Sequence, residues 1–431
     1  MIDRKKYLEK LIRKERNGLI KVITGIRRCG KSYLLFEIFY KYLLSEGVKD
    51  DHIICLALDE TKNIKYRNPL FLDEYIQGKI VDEGQYYVCL DEIQKVKPIK
   101  NPYLDDDEEK ITFVDVLLGL MKKSNVDIYV TGSNSKMLSS DILTEFRGRS
   151  DEIRVNPLSY SEFYNAYRGD KHKAWSEYVT YGGMPFVMTL QSHEDKKEYL
   201  QSLFEKVYIA DVLERRKLIN DKSILEDLLD MISSAIGSLT NPTKLSNTFE
   251  TVKHVSVSPK TISRYLDCFE SAFMIRKAQR YDIKGKSYIE SPLKYYFVDV
   301  GLRNARLNFR QQEETHIMEN VIYNELCLRG FGVDVGVVEY STRTKDGKSQ
   351  RIQREVDFVA NKGDSRYYIQ SAFAIPDEEK REQETKVFSK IADSFKKIVV
   401  VREGIVPWRD DNGVLYIGVE QFLLDEKAMD L

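Results

Sequence analysis

The sequence predicts an α/β protein: a parallel sheet covered by helices, then a helical segment, a helix–turn–helix with a hairpin, and a second α/β unit. Three observations carry this. Short apolar runs alternate with helical patterns up to about residue 155. A glycine-rich loop joins the first of those runs to the first helix. From residue 157 the alternation stops, and it returns only after about residue 287.

The elements follow in order. Apolar runs at 19–24 (LIKVIT), 52–58 (HIICLAL), 86–90 (YYVCL), 127–131 (DIYVT) and 152–155 (EIRV) suit buried strands. Helical patterns lie between them at 31–46, 70–79, 112–123 and 135–144, and NPYLDDDEEK at 101–110 is an acidic loop. These residues, 1–155, form the first expected domain. Residues 156–218 have helices with aromatic and leucine faces, broken by YGGMPFVM at 181–188, and are expected as a helical lid. Residues 219–286 are expected as a winged-helix-like domain. Helices at 222–237 and 243–250 precede a third with Ser258 as N-cap and Pro259 at its first position. A hairpin would then supply the wing. Residues 287–431 mix a helix at 314–329 with strands at 333–340, 352–360, 366–372 and 396–402.

Composition excludes some classes. Lys and Arg number 67 against 68 Asp and Glu, so whole-chain charge argues for neither a nucleic acid nor a membrane partner. The five cysteines (29, 55, 89, 268, 327) make no C-x-x-C pair and read as reduced thiols of a cytoplasmic protein. The N-terminal MIDRKKYLEKLIRKERNG is a charged amphipathic helix rather than a leader, and no apolar stretch is long enough to span a bilayer.

GIRRCGKS, residues 25–32, has the G-x-x-x-x-G-K-[ST] spacing of a phosphate-binding loop, with a strand before it and a helix after it. Glycines let backbone N–H groups point at phosphates, and the helix adds its positive end. Gly25, Ile26, Arg27, Arg28, Cys29, Gly30, Lys31, Ser32 and Tyr33 are the expected nucleotide contacts. Lys31 would reach the β/γ-phosphates and Ser32 would ligate Mg²⁺. The plain alternative is a glycine turn capping a helix. A second carboxylate site follows in YYVCLDEIQ, where an apolar strand ends in Asp91-Glu92. Asp91 would hold Mg²⁺ through water, and Glu92 would orient and deprotonate the attacking water. IYVTGSNS ends a strand on the same edge, with Ser133 or Asn134 as a third contact. In EFRGRS, Arg147 and Arg149 are candidate arginine fingers, acting in cis or from another subunit.

The segments LIKVITGIRRCGKSYLLFE, CLDEIQ, VTGSNSKMLS, FRGR, PLSYSEFY and YGGMPFV occur in this order and resemble those of bacterial and archaeal AAA-type ATPases with a C-terminal DUF4143 domain. The resemblance implies a core sheet of order 5-1-4-3-2, ATP as the nucleotide, and Glu92 as catalytic base. Arg27-Arg28 belongs to that family's form of the loop. The resemblance also implies a C-terminal PD-(D/E)XK nuclease-like, restriction-endonuclease-like fold, with Glu319 on a helix, Asp357 ending a strand, and Gln370-Ser371-Ala372 in the (D/E)-x-K place. Such nucleases hold a divalent ion between acids while the lysine helps to activate water. Gln370 is neutral and Ala372 has no amine, so the expectation is a nuclease-like domain without cleavage.

Nucleic-acid binding rests on local charge. Between Thr243 and Arg310 there are 13 Lys and Arg against 6 Asp and Glu. Lys260 and Arg264 lie on one face of the third helix, where they would neutralise DNA phosphates. A solvated face on a protein-contact module is the plain alternative. The leading reading is therefore an Mg²⁺-dependent ATPase whose cycle rearranges a DNA-binding winged helix and an inactive nuclease-like domain. A slow switch acting through protein partners or a second copy, and an active ATP-dependent nuclease, are the other two.

Overall fold

The computed structural model describes residues 2–104, 109–132, 146, 148–205, 222–310, 313–343, 349–375 and 377–431. The described residues up to Pro157 form one compact unit, and those from Leu158 onward form another.

The first unit runs α1 (Lys5–Arg13), β1 (Ile20–Thr24), α2 (residues 31–45, π-helical across Leu34–Phe39), β2 (Ile53–Ala57), α3 (Pro69–Lys79) and β3 (Tyr86–Asp91). A two-stranded ribbon, β4 (Ile99–Lys100) and β5 (Lys110–Ile111), precedes α4 (Phe113–Leu120), β6 (Val126–Thr131) and β7 (Ser150–Arg154). The five long strands are all parallel, in the order β2-β3-β6-β1-β7. Counted along the chain, this is the expected 5-1-4-3-2. β1 and β3 are buried along their whole length, as strands covered on both faces should be. Ile20, Val22, Val88, Leu90, Ile128 and Val130 pack with Leu72 and Ile76 of α3 and Leu117 and Leu120 of α4. Both helices begin on caps: Asn68 accepts the Leu70 N–H ahead of Pro69, and Thr112 and Asp115 form a capping box. In a parallel sheet every strand ends on the same edge, which gathers the residues following β1, β3 and β6.

The second unit opens with α5 (Tyr160–Ala166), α6 (Ala174–Tyr181), α7 (His193–Leu203), α8 (Lys222–Ser234), α9 (Pro242–Thr248) and α10 (Pro259–Ser271). A hairpin follows, β8 (Ile275–Asp282) and β9 (Ser287–Phe297), then α11 (Val300–Arg306) and α12 (Glu314–Leu328). β10 (Gly332–Arg343), β11 (Ser349–Lys362), β12 (Ser365–Ala372), α13 (Glu378–Thr385), β13 (Lys396–Val401), β14 (Trp408–Arg409), β15 (Leu415–Gly418) and α14 (Val419–Leu424) complete it. The sheet order is β14-β15-β13-β12-β11-β10-β8-β9. Alternate residues of β12 and β13 serve two cores. Ile369, Ile398 and Val400 meet Ile317, Val321 and Ile322 of α12, whereas Tyr368, Val399 and Val401 meet Phe388 and Ile391.

Two expectations change here. The boundary expected at 286/287 falls in the turn of the β8–β9 hairpin, and β8 also pairs in parallel with β10, Arg280 beside Val335. The sheet therefore runs through that boundary. Tyr160 of α5 and Trp175 of α6, expected on a separate lid, are buried in the same core as Ile317 and Phe358. YGGMPF is the stop of α6. Gly182 has φ +73°, and a Cβ there would lie 2.2 Å from Asp299 Oδ1; one on Gly183 would lie 2.1 Å from the Leu158 carbonyl oxygen. Asp299 accepts the N–H of Gly183 at 2.7 Å and that of Leu302 at 3.0 Å. Burial pushes its carboxyl up to about 6 against those hydrogen bonds. Among the described residues no helix is long and apolar enough to cross a membrane.

Candidate functional site

The loop after β1 closes tightly on the strand beside it. Gly25 has φ +140°, and a Cβ there would sit 2.1 Å from the Val155 carbonyl oxygen. Only glycine fits. Cys29 is fully buried, with its Sγ 3.4 Å from the same oxygen, so this small thiol fills the space under the loop. Ile26 is buried, Arg27 and Tyr33 are half-buried, and Arg28 is exposed with φ +62°. Gly30 adopts φ +98° and opens α2. Lys31 is buried, and its Nζ donates to the carbonyls of Gly25 at 3.0 Å and Ile26 at 3.1 Å. An ammonium has three donors, so one remains.

Asp91 and Thr131 lie at the ends of β3 and β6. The Thr131 hydroxyl donates to Asp91 Oδ1, and it accepts the Glu92 N–H at 3.2 Å. Ser32 also hydrogen-bonds to Asp91 and remains exposed. Burial raises the Asp91 carboxyl above the ordinary carboxylate range; Thr131 and Ser32 oppose this, and the charges of Glu92 and Asp59 reinforce it. A carboxylate so placed, beside two hydroxyls and two further acids, is matched to a cation. Asp59 belongs to a pinned turn after β2: Arg67 donates to the carbonyls of Leu58 at 2.8 Å and Asp59 at 2.9 Å. Glu92 is half-buried at φ +54°. The residues present fit a nucleotide triphosphate with a divalent ion: a glycine cradle, an ammonium, a hydroxyl and an acid.

Thr131 and Asp59 were not among the sequence candidates, although each ends or follows an apolar strand on the loop's edge. Ser133, Asn134 and Arg147 lie outside the described residues. Arg149 is exposed and its carbonyl accepts the Ile20 N–H at 3.0 Å, at the start of β1. β7 runs parallel to β1, so Arg149 lies at the opposite sheet edge, about 15 Å of strand away from the loop. Action in cis is therefore excluded for Arg149. Cys55 and Cys89, distant in sequence, are register partners on β2 and β3 with their thiols in hydrogen-bond contact; both are free.

The second candidate cluster lies in the other unit. Glu319 of α12 and Asp357 of β11 are both buried, and they share their surroundings with a residue the sequence did not single out, Lys294 of β9. Its ammonium donates to Glu319 Oε1 at 2.8 Å and lies 2.7 Å from Glu355 Oε1. Tyr296 donates to Glu319 Oε1 at 2.6 Å. Burial works against the Lys294 charge, but Glu319, Asp357 and Glu355 outweigh it and raise the pKa. Burial likewise works against Glu319, yet Lys294 leads the partners that hold its carboxyl below the ordinary value. Asp357 is pushed up to about 8 by burial and then by the Glu319 charge, while its Oδ2 accepts the Ser371 N–H at 2.8 Å. Gln370 Oε1 lies 3.4 Å from the Asp357 N–H, a long hydrogen bond, and Ala372 is buried in the opposite core layer.

Lys260 and Arg264 are both exposed on α10, whose other face buries Ile262, Tyr265, Leu266 and Phe269. Ser258 caps this helix by accepting the Thr261 N–H. Asp267 is exposed one turn further along the same face, which is therefore not uniformly basic.

An AAA domain family matches residues 17–164. A domain of unknown function, DUF8612, matches residues 172–313, where the resemblance had implied DUF4143. Among solved structures, the Aeropyrum pernix ORC1 protein in complex with DNA overlaps 72% of this chain and 93% of that one, at 10% identity and a TM-score of 0.28. The Pyrobaculum aerophilum Cdc6p structure overlaps 75% and 96%, at 11% identity and a TM-score of 0.28. An uncharacterized protein of Methanocaldococcus jannaschii is 27% identical over 424 residues, covering 95% of this chain and 85% of its own. One from Haemophilus influenzae is 34% identical over 406 residues, 93% of each chain. With that identity along nearly its whole length, this chain belongs to the same family as the Haemophilus influenzae protein, and its own residues 17–164 carry the AAA domain match.

Proposed function

We propose that the protein binds ATP with Mg²⁺ and hydrolyses it to ADP and phosphate. The observation that carries this reading is the convergence of Lys31, Ser32, Asp91, Thr131 and Glu92 at one edge of a parallel sheet. Lys31 would neutralise the β/γ-phosphates with its remaining donor. Ser32 and Asp91 would hold Mg²⁺, which supplies charge neutralisation for phosphoryl transfer. Glu92 would take the proton of the attacking water as its oxygen bonds to the γ-phosphorus and the bridging oxygen leaves with ADP. Asn134 would contact the γ-phosphate or that water, Arg147 would act as a finger in cis or from another copy, and Arg149 would act only between copies. Lys31→Ala should abolish turnover. Glu92→Gln should abolish turnover and still bind ATP in a fluorescent-nucleotide titration. A Glu92→Gln variant with wild-type turnover would refute the assigned base.

The hydrolytic cycle would change the pose of a DNA-binding winged helix, α9 to β9, and of a nuclease-like domain that does not cut. Exposure of Lys260 and Arg264 supports the first part, and a rise in ATPase rate on adding duplex DNA tests it. Lys294 supports the second: a protein ammonium already neutralises the acids that a nuclease would turn toward a metal. Plasmid incubated with Mg²⁺ or Mn²⁺ should stay intact. Cleavage that disappears in Asp357→Ala would overturn this part.

A further inference from the structure

Gln94 is two residues past Glu92, in the turn Ile93–Lys95 that ends β3, and no role above uses it. Its side-chain Nε2 donates to Glu92 Oε2. The Oε1 of the same amide is shut off from solvent and meets no donor among the described residues. Glu92 itself holds φ +54°, a left-handed conformation that non-glycine residues avoid. A glutamine in an ordinary turn would keep its oxygen in water. Here a half-satisfied amide and an unfavourable backbone angle occur together at the mouth of the phosphate loop. Such costs persist where the surrounding structure imposes them, and they concentrate at working sites.

The backbone around the pair is fixed. Ile93 is fully buried and Val96 nearly so. The N–H of Lys95 bonds to the Glu92 carbonyl at 2.9 Å, and that of Val96 to the Ile93 carbonyl at 3.0 Å. The Glu92 N–H is taken by Thr131, the residue that also donates to Asp91. With its backbone held from both sides, Glu92 keeps one freedom, the rotation of its side chain. The amide of Gln94 removes it.

We infer that Gln94 is a positioning residue for Glu92: its amide N–H holds the carboxylate in one orientation, so that the base meets the attacking water without first being ordered. This rests on the reading of Glu92 as the base in ATP hydrolysis. Gln94 touches neither nucleotide nor metal in this account, so its effect belongs on kcat and not on ATP affinity.

The test is Gln94→Met, which keeps length and bulk but removes the donor. Steady-state turnover is measured beside the Kd of a fluorescent ATP analogue and the circular dichroism spectrum. The expected result is a kcat lower by at least about tenfold, with Kd within about twofold of wild type and an unchanged spectrum. Gln94→Glu, which sets a like charge against the carboxylate, should fall further. If Glu92→Gln abolishes turnover while Gln94→Met keeps or raises it with Kd intact, the positioning role is wrong and the base stands. If Glu92→Gln leaves turnover intact, the underlying reading fails first. A Gln94→Met variant whose Kd rises in step with its loss of kcat would also overturn the inference, because it would point to a collapsed loop.

Discussion

Replacing Lys294 by methionine isolates the energetics of the buried centre in the second unit. The side chain keeps its bulk and loses its charge. Glu319 and Glu355, which the ammonium contacts at 2.8 and 2.7 Å, are left facing each other, and the Glu319 side chain is only 8% exposed. Removing one partner of a buried ion pair costs roughly 3–5 kcal/mol, since the surviving charge keeps its desolvation penalty. A unit of roughly 270 residues unfolds with about 0.6 kcal/mol/K of entropy, so the cost corresponds to a fall in Tm of about 5–9 °C. Tyr296 would still donate to Glu319, which favours the lower half of that range. The assay is thermal unfolding at pH 7 by circular dichroism. Lys294→Met with Glu319→Gln should recover part of the loss, because the second change removes one of the stranded charges. A single variant within about 1 °C of wild type, or a double variant no better than the single, would show that the pair carries no such energy.

Other outcomes are equally checkable. Gly25→Ala drives a Cβ to 2.1 Å from the Val155 carbonyl oxygen at φ +140°, and at least about 1–3 kcal/mol of strain should weaken nucleotide binding about tenfold or more in a titration. Wild-type affinity would contradict the fit of the loop. Asp357 has a folded pKa, about 8, above its unfolded value, so the native state keeps a proton that the unfolded chain releases. Stability from this group is present below about pH 4 and lost as pH rises toward 8, by at most about 1.4 kcal/mol per pH unit. Asp357→Asn should flatten the urea-stability slope between pH 6 and 8, and equal slopes would refute the assignment. Lys260→Glu with Arg264→Glu should weaken duplex DNA binding and make the log Kd against log salt slope shallower by about 2. An unchanged slope would remove α10 from the interface.

The first unit was largely legible because its signals are local. Each strand is a short apolar run, the phosphate loop has fixed spacing, and Ser258-Pro259 announced α10 correctly in the second unit. What escaped was set by contacts distant in sequence. Lys294 sits in PLKYYF and reads as an ordinary polar residue of a strand; its partners are 25 and 61 positions further along. The adjacency of Cys55 and Cys89 is a matter of register, which composition does not encode. Cys29 was expected only as one of the loop's nucleotide contacts, because its packing against Val155 is invisible until β7 is placed beside β1. Thr131 was passed over as a strand former in favour of the polar residues after it. The position of Arg149 was derivable: a residue that precedes a parallel strand falls at the edge away from the loop.

The double pairing of β8, with β9 on one side and β10 on the other, has a mechanical meaning. A wing on a free hairpin would flex without disturbing anything behind it. Here the hairpin is the last panel of an eight-stranded wall, and α10 feeds directly into it through Ala272 and Phe273. A partner that tilts α10 by a few degrees must shear backbone hydrogen bonds at Val335–Val337 or carry β10 and β11 along with it. β11 bears Glu355 and Asp357, so a pull on the helix ends as a strain on the lysine centre. α10 and the lysine centre in this unit are two ends of one lever.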